Sequence, residues 1–394
     1  MPGYIAHPYD VLFFRGNKSF TFGEWYTEGT FPPPPSTFQG FVRSKILYDG
    51  GALDEKGRAN DKNTIQALVG DDDKFPMDIV GPYLIKTEFD ELYFPAPRDV
   101  IQEDEVSFRS LFNRVNEECI ESDLGFLLRM PGSIPEKKLE SLRPPEYLSD
   151  SEITAYRTVL DGLDIADHNL VFTEDRVGIG LDYEKRKTRE GRFYVTPYSR
   201  LSDGIDLYFS LTGKTLNGGS QKLGGEAHLV DVVSHNEESL LEKKFSPSRE
   251  RLVQCIVKHR TFRLVLLQPG IFKEGWFPFQ SAVNDQKLLS TIATKGSTFQ
   301  CELLGACMDS PWKIGGYSYI RNLGTGDQSG VTLKPMMLAV PTGSVYLFRI
   351  GKEVPDDVIK NFVEEFDNEK IGNLPYSAMG FNHVLLACGP EMKG

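Results

Sequence analysis

The sequence predicts an α+β protein of two domains with mainly antiparallel sheets. Three observations carry that expectation. The chain has 394 residues, more than one hydrophobic core usually serves. Strand-like and helix-like segments alternate irregularly, without the regular strand–helix rhythm of a doubly wound sheet. A stretch rich in Gly, Lys, Asn and Ser, residues 212–225, separates two such sets. The expected domains are residues 1–222 and 223–394.

The elements follow in order. Residues 3–15, with Tyr4, Ile5 and the run Val11, Leu12, Phe13, Phe14, read as an opening strand. A polar and aromatic loop leads to Pro32-Pro-Pro-Pro35, which cannot be helical as a run. Ser36 or Thr37 is then expected as an N-cap. Phe38, Phe41, Val42 and Ile46 recur at helical spacing and predict a buried stripe. Strands are expected at 77–86 and 91–95, and helices at 105–121 and 150–162. Residues 169–181 and 191–200 form a long hairpin with a basic tip, and 203–211 adds a strand. In the second half, strands are expected at 227–233, 261–267, 298–307, 344–350 and 381–388, with a helix at 248–258. Residues 354–366 make an amphipathic helix, with Pro355 in its first turn and Val358, Ile359, Phe362, Val363 and Phe366 on one face.

Composition bounds the function. Apolar residues make up 40% and aromatics 11%, enough for packed cores. No uninterrupted apolar run approaches the length of a membrane span. The N-terminus lacks the basic-then-apolar pattern of a signal peptide, so a cytoplasmic protein without membrane contact is expected. Cys119, Cys255, Cys301, Cys307 and Cys388 are odd in number and include no Cys-x-x-Cys pair. Free, mostly buried thiols are expected, with no disulfide framework and no zinc ribbon.

The formal net charge of −12 opposes a nucleic-acid partner, but the charge is uneven. Residues 185–192 hold Lys185, Arg186, Lys187, Arg189 and Arg192 against Glu190 alone. Residues 243–263 hold seven basic residues against Glu250. Phosphate binding answers to local potential, within a screening length of about 8 Å.

Enzyme signatures fail. Thr212-Gly-Lys-Thr215 resembles the end of a P-loop, but Tyr208 stands where its first glycine belongs. His7, His168, His228, His235, His259 and His383 are scattered, with no pair at metal-ligand spacing, so no metal or cofactor is expected. What remains is a set of glycine-rich turns beside strands: Arg176-Val-Gly-Ile-Gly180, Leu223-Gly-Gly-Glu226, and Arg321 to Gly330 followed by Lys334. Such loops can aim backbone N–H groups at phosphate. The helix start at Ser36 and Thr37 offers the same, with Gln39 and Arg43 one turn apart behind it.

These words occur in the order of a known family. Pro8-Tyr-Asp-Val-Leu-Phe-Phe-Arg-Gly16 and Phe31-Pro-Pro-Pro-Pro-Ser-Thr-Phe-Gln-Gly-Phe-Val-Arg43 resemble the third-subunit family of the Cmr complex, the type III-B CRISPR effector, within the RAMP superfamily. Gly81-Pro-Tyr-Leu84, Tyr93-Phe-Pro-Ala-Pro-Arg-Asp99, Gly191-Arg-Phe-Tyr194 and the words from Lys334 to Tyr346 continue the series. The chain departs from the RAMP pattern near its end, where Met379-Gly-Phe-Asn-His-Val384 replaces a closely spaced glycine run.

The resemblance implies two ferredoxin-like (RRM-like) domains and no catalytic activity. It implies binding of the 5′ handle of crRNA, docking to the large polymerase-like subunit and the first backbone subunit, and indirect contact with target RNA. It also implies a thumb-like hairpin aimed at guide and neighbour. The expected RNA contacts are Arg15, Ser36, Thr37, Gln39, Arg43, Arg176, Gly178, Lys185, Arg186, Arg189, Gly324, Gly326 and Lys334. Phe14 or Tyr194 would stack a splayed base. Two alternatives compete: a RAMP endoribonuclease acting on precursor crRNA through His7, and a nucleotide site at the glycine loop near Gly326.

Overall fold

The computed structural model describes residues 1–16, 29–53, 62–70, 75–102, 107–110, 119–122, 125–128, 145–158, 163–182, 187–236, 238–284, 287–318, 332–372 and 375–391. Two compact units interleave along the sequence. The first is Met1–Asp90, Asn169–Glu238 and Lys313–Met337; the second is Glu91–His168, Ser239–Trp312 and Leu338–Gly394.

The main elements, in chain order, begin with β1 (Gly3–Pro8), α1 (Pro35–Asp49), α2 (Lys62–Val69) and β2 (Asp78–Lys86). Then come β3 (Glu91–Pro95), β4 (Tyr147–Ser149) and α3 (Asp150–Thr158). The hairpin is β5 (Val171–Asp182) and β6 (Lys187–Leu201), followed by β7 (Ile205–Thr212), β8 (Gly219–Lys222) and β9 (Leu229–Asn236). The rest is α4 (Leu240–His259), β10 (Thr261–Leu266), β11 (Gln280–Asn284), β12 (Lys287–Thr294), β13 (Ser297–Cys307), β14 (Val345–Ile350), α5 (Asp356–Phe366), β15 (Glu369–Lys370) and β16 (His383–Cys388).

In the first unit the strands lie in the order β8-β9-β1-β7-β2, every neighbour antiparallel. Without the edge strand β8, this is the 4-1-3-2 order of a ferredoxin-like sheet. Helix α1 follows the first strand, as that fold requires. Its stripe is where the periodicity placed it: Phe38 meets the Phe209 ring at 5.0 Å and Phe41 meets it at 6.3 Å, while Tyr4 stacks on Phe209 at 5.4 Å. The opening strand is shorter than expected. It ends at Pro8, whose missing N–H cannot extend a ladder, and the chain rejoins strand structure only at a Leu12–Ser199 bridge. The stretch 212–225, expected at the junction, lies in the first unit and contributes β8.

The second unit repeats the order with different connections: β11-β12-β13-β14-β10-β16-β15, again antiparallel throughout. Its central four strands, β13-β14-β10-β16, also read 2-3-1-4. Here α4 precedes the first strand, and the β11–β12 hairpin stands where the first crossover helix would be. Helix α5 buries Ile359, Phe362 and Val363, and Phe362 packs 4.9 Å from Phe262.

The helix expected over 105–121 is overturned. Ser107–Ser110 pairs with Val100–Gln102 and with Leu163–Asp164, and Cys119–Ser122 pairs with Gly125–Leu128. Short apolar runs do not separate the two periods, and pairing with distant strands decides between them.

Two buried arginines cross-link the second unit. Arg157 is 0% exposed and Arg263 is 0% exposed. Arg157 donates to Asp367 at 2.6 Å, Ser248 at 2.8 Å, and the carbonyls of Leu386 and Phe245 at 3.0 and 3.3 Å. Arg263 donates to Asp99 at 3.2 Å and to the carbonyls of Cys388 and Tyr156, and lies 4.1 Å over the Tyr156 ring. Burial draws the Arg157 guanidinium below its usual range, and Asp367 opposes that shift. A buried charge is tolerable only when paired this completely.

The expectation of free thiols is corrected at one pair: Cys255 and Cys388 are joined as a disulfide, while Cys301 and Cys307 are free. The two partners are 133 residues apart in sequence, and only the fold brings them together.

Candidate nucleic-acid interface

The β5–β6 hairpin pairs Val171 with Leu201 and stays in register to Ile179 opposite Phe193, then shifts before Leu181 opposite Thr188. Side chains alternate between faces, so directly opposed residues share one. One face carries Glu174, Arg176 and Gly178 against Tyr198, Thr196 and Tyr194. The other carries Val177 and Ile179 against Val195 and Phe193.

A charged cluster sits at the base of the first face. Asp10, just after β1, accepts from Arg176 and from Arg200 at 3.0 Å each. Glu174 accepts from the same two residues, at 2.8 and 2.6 Å. The Arg176 guanidinium also lies 5.0 Å from the Tyr198 ring centre. Hydrogen bonding from Arg176 holds the Asp10 carboxyl below the usual range. Arg176 and Arg200 do the same for Glu174, and both guanidiniums are shifted up in return, Glu174 being the larger cause. The cluster is thus charge-balanced, with its arginines held in fixed orientations.

Below it, Val11, Phe13 and Tyr198 form a small core, the two rings 5.4 Å apart. The Leu223-Gly-Gly-Glu226 word packs on that core. Gly224 has φ +79°, and a Cβ there would stand 2.5 Å from the Phe13 carbonyl oxygen. Gly225 N–H donates to that oxygen at 2.8 Å. The Tyr198 hydroxyl donates to Glu226. Burial, then this bond, pushes the Tyr198 phenol up to about 12. Three of the sequence words therefore meet at one place for a packing reason.

The other expected contacts fare differently. Arg15 is exposed, at an isolated bridge to Gly29. Neither Ser36 nor Thr37 is an N-cap. Pro34 holds that position, and its carbonyl takes the Thr37 and Phe38 N–H groups at 2.9 and 3.1 Å. Proline's preset φ lets the helix begin at Pro35, before either hydroxyl. Thr37 is exposed, whereas Gln39 is turned inward at 4% exposure, off the surface. Arg43 donates to the Gly70 carbonyl at 3.2 Å and lies 5.7 Å from the Phe75 ring centre. It belongs to a different network from Arg176. Phe14 is buried at 3% exposure, which removes it as a stacking platform.

Gly178 is explained by its neighbour rather than by phosphate. A Cβ there would fall 2.1 Å from the Tyr194 ring, so glycine admits that ring across the strands. The Lys334 N–H donates to the Gly316 carbonyl at 2.8 Å. Lys185, Arg186, Gly324 and Gly326 lie outside the described residues. Arg189 falls on β6, with only its backbone described.

Reasoning from sequence missed Arg200, Asp10 and Glu174. The strand alternation that places Arg176 opposite Thr196 also places Arg200 two cross-strand pairs away on the same face, and that signal was available.

The sequence matches the family described as CRISPR-associated protein (Cas_Cmr3) over residues 4–387. The chain belongs to that family. It is a Cmr RAMP-type subunit of a type III CRISPR effector complex. No curated protein matches it. Among solved structures, one similar chain comes from the type III-B Cmr-beta complex bound to cognate target RNA, with 13% identity over 97% of this chain and 96% of that one, at a TM-score of 0.46. A second comes from the same complex bound to target RNA and AMPPnP, with 14% identity over 92% and 93%, at a TM-score of 0.40. A third comes from the Csm3-Csm4 subcomplex of the type III-A interference complex, with 12% identity over 90% and 98%, at a TM-score of 0.32. The assignment rests on the family match. No helix among the described residues is long and apolar enough to cross a membrane.

Proposed function

We propose that this chain is a non-catalytic subunit that grips the 5′ handle of crRNA and bridges the large polymerase-like subunit to the backbone subunits. The observation that carries the reading is the β5–β6 hairpin. Its base fixes two arginines, and the tip between its strands holds Lys185, Arg186, Lys187 and Arg189.

The mechanism is electrostatic positioning. Arg176 uses its Nε–H and one Nη–H on carboxylates, leaving other donors of its five for phosphate. Asp10 and Glu174 keep the guanidiniums from collapsing onto the strand but also cancel their charge. The unbalanced attraction for the guide therefore comes from the tip lysines and arginines and from Arg15. Tyr194, half-buried over Gly178, is the ring placed for a base.

The test uses reconstituted complex and follows crRNA retention against salt. Joint replacement of Lys185, Arg186 and Arg189 by Ala should weaken retention and flatten its salt dependence, by roughly 0.7 in log–log slope for each phosphate no longer neutralised. Unchanged retention with unchanged slope would remove the hairpin from the RNA path.

One observation favours the endoribonuclease reading: His7 Nδ1 lies 2.8 Å from an Asp206 oxygen, an imidazole–carboxylate pair on half-exposed ground. Metal-independent cleavage of repeat RNA by the purified chain, abolished in His7→Ala, would establish it over the scaffold role.

A further inference from the structure

The last turns of α4 carry Cys255 and His259, four residues apart and so on one helix face. Strand β16 ends at Cys388 beside them. One donor atom from each of the three residues lies within 4.8 Å of the others. His259 Nδ1 is 3.8 Å from the Cys388 sulfur. The Gly389 carbonyl oxygen is 3.1 Å from that Nδ1 and 3.5 Å from that sulfur. In the structure the sulfurs of Cys255 and Cys388 are bonded to each other.

A disulfide alone gives no reason for an imidazole laid against the sulfurs with a carbonyl at its side. Two thiolates and an imidazole, two of the three residues being adjacent on a helix, form a donor set selective for zinc. The Cα atoms of Cys255 and Cys388 are 5.9 Å apart, which leaves room for two Zn–S bonds of about 2.3 Å. The ledge is half-buried at Cys255 and His259 and closed at Cys388, so an ion has a way in.

We propose that, with its sulfurs reduced, the Cys255–His259–Cys388 cluster is a zinc site that clamps the end of α4 to the last strand of the second unit. Two molecules of a low-molecular-weight thiol supply the two electrons and two protons. They become one disulfide, and the Cys255–Cys388 bond becomes two thiols. Zn²⁺ then displaces the two S–H protons. His259 binds through Nδ1, its ring proton moving to Nε2, so binding releases two protons in total. The fourth position falls to the Gly389 carbonyl or to water. This site is independent of the RNA-binding reading and stands or falls separately.

The test uses the full chain, purified under thiol reductant and freed of loose metal. Elemental analysis should find about one zinc per chain. Exchange into Co²⁺ should give the thiolate-to-metal charge-transfer band and intense visible bands of a tetrahedral site. Cys255→Ser should lose both metal and bands. His259→Gln should bind Co²⁺ more weakly, with the thiolate band kept. Cys388 is fully buried and its replacement invites misfolding, so these two half-buried positions carry the experiment, with circular dichroism confirming their fold. Three results would each overturn the proposal. One is no bound metal in the reduced chain. Another is metal retained in full by Cys255→Ser. The third is an intact Cys255–Cys388 disulfide, without metal, in chain alkylated directly from reducing cells.

Discussion

The two basic stretches of this chain look alike in sequence and are used in opposite ways. Residues 243–263 resemble a phosphate-binding segment, yet their charges turn inward. Arg263 is buried on Asp99, Lys244 reaches Asp150 at 2.7 Å, Arg249 spans Glu242 and Asp367, and Arg260 holds Asp356. The hairpin arginines in the first unit also have carboxylate partners, but Arg176 and Arg200 remain 39% and 44% exposed. A run of positive charge is therefore not a positive surface. What decides is whether the carboxylates arrive from the protein's own interior, and this depends on contacts between residues 100 or more apart.

The largest effect that sharpens the contrast is at Arg157. Arg157→Ala should cost about 3–5 kcal/mol by leaving Asp367 buried without its main partner, read as a lowered midpoint in chemical unfolding. A near-normal midpoint would mean that the buried network is dispensable.

Next comes Gly224→Ala, at the base of the hairpin. A Cβ at φ +79°, 2.5 Å from a carbonyl oxygen, should destabilise the chain by about 1–3 kcal/mol in the same assay.

A half-buried pair in the second unit gives an intermediate, pH-dependent case. His168 lies 2.7 Å from Glu152. The bond to Glu152 raises the His168 pKa above 6.5; burial raises that of Glu152, but His168 and two backbone N–H groups outweigh it and hold the carboxyl below 4.5. The His168 contribution is complete below 6.5 and is lost as pH rises through its higher folded value. The Glu152 contribution is present above 4.5 and is lost as pH falls through its lower folded value. His168→Gln should therefore cost more stability near pH 5.5 than near pH 8.5, both conditions chosen about the ordinary histidine value. An equal cost at the two pH values would show that the pair contributes by packing alone.

The smallest effect on folding belongs to the exposed side of the comparison. Arg200→Ala should leave the unfolding midpoint unchanged, because exposed ion pairs add little. A change in RNA retention by assembled complex with folding intact would then separate binding from stability. A large loss of stability would place Arg200 with Arg157 instead.

Much of this architecture could be read in advance, because alternation and helical spacing are local. The α1 stripe at Phe38, Phe41, Val42 and Ile46 and the buried face of α5 were set by side chains a turn apart. The long hairpin was set by its own alternating pattern and basic turn. The misreadings share the opposite character. Residues 107–110 became a strand because Leu163–Asp164 lies beside them, and Gly178 owes its place to Tyr194 on the facing strand.

By itself the sequence determined the fold class, the family and the hairpin, since each rests on neighbours along the chain or on ordered words within it. Only the tertiary structure decided which arginines are buried, why Leu223-Gly-Gly-Glu226 must carry glycine against Phe13, and that Cys255, His259 and Cys388 meet. Those facts are distances between residues far apart in sequence, and composition and spacing carry no record of them until the sheets close over their cores.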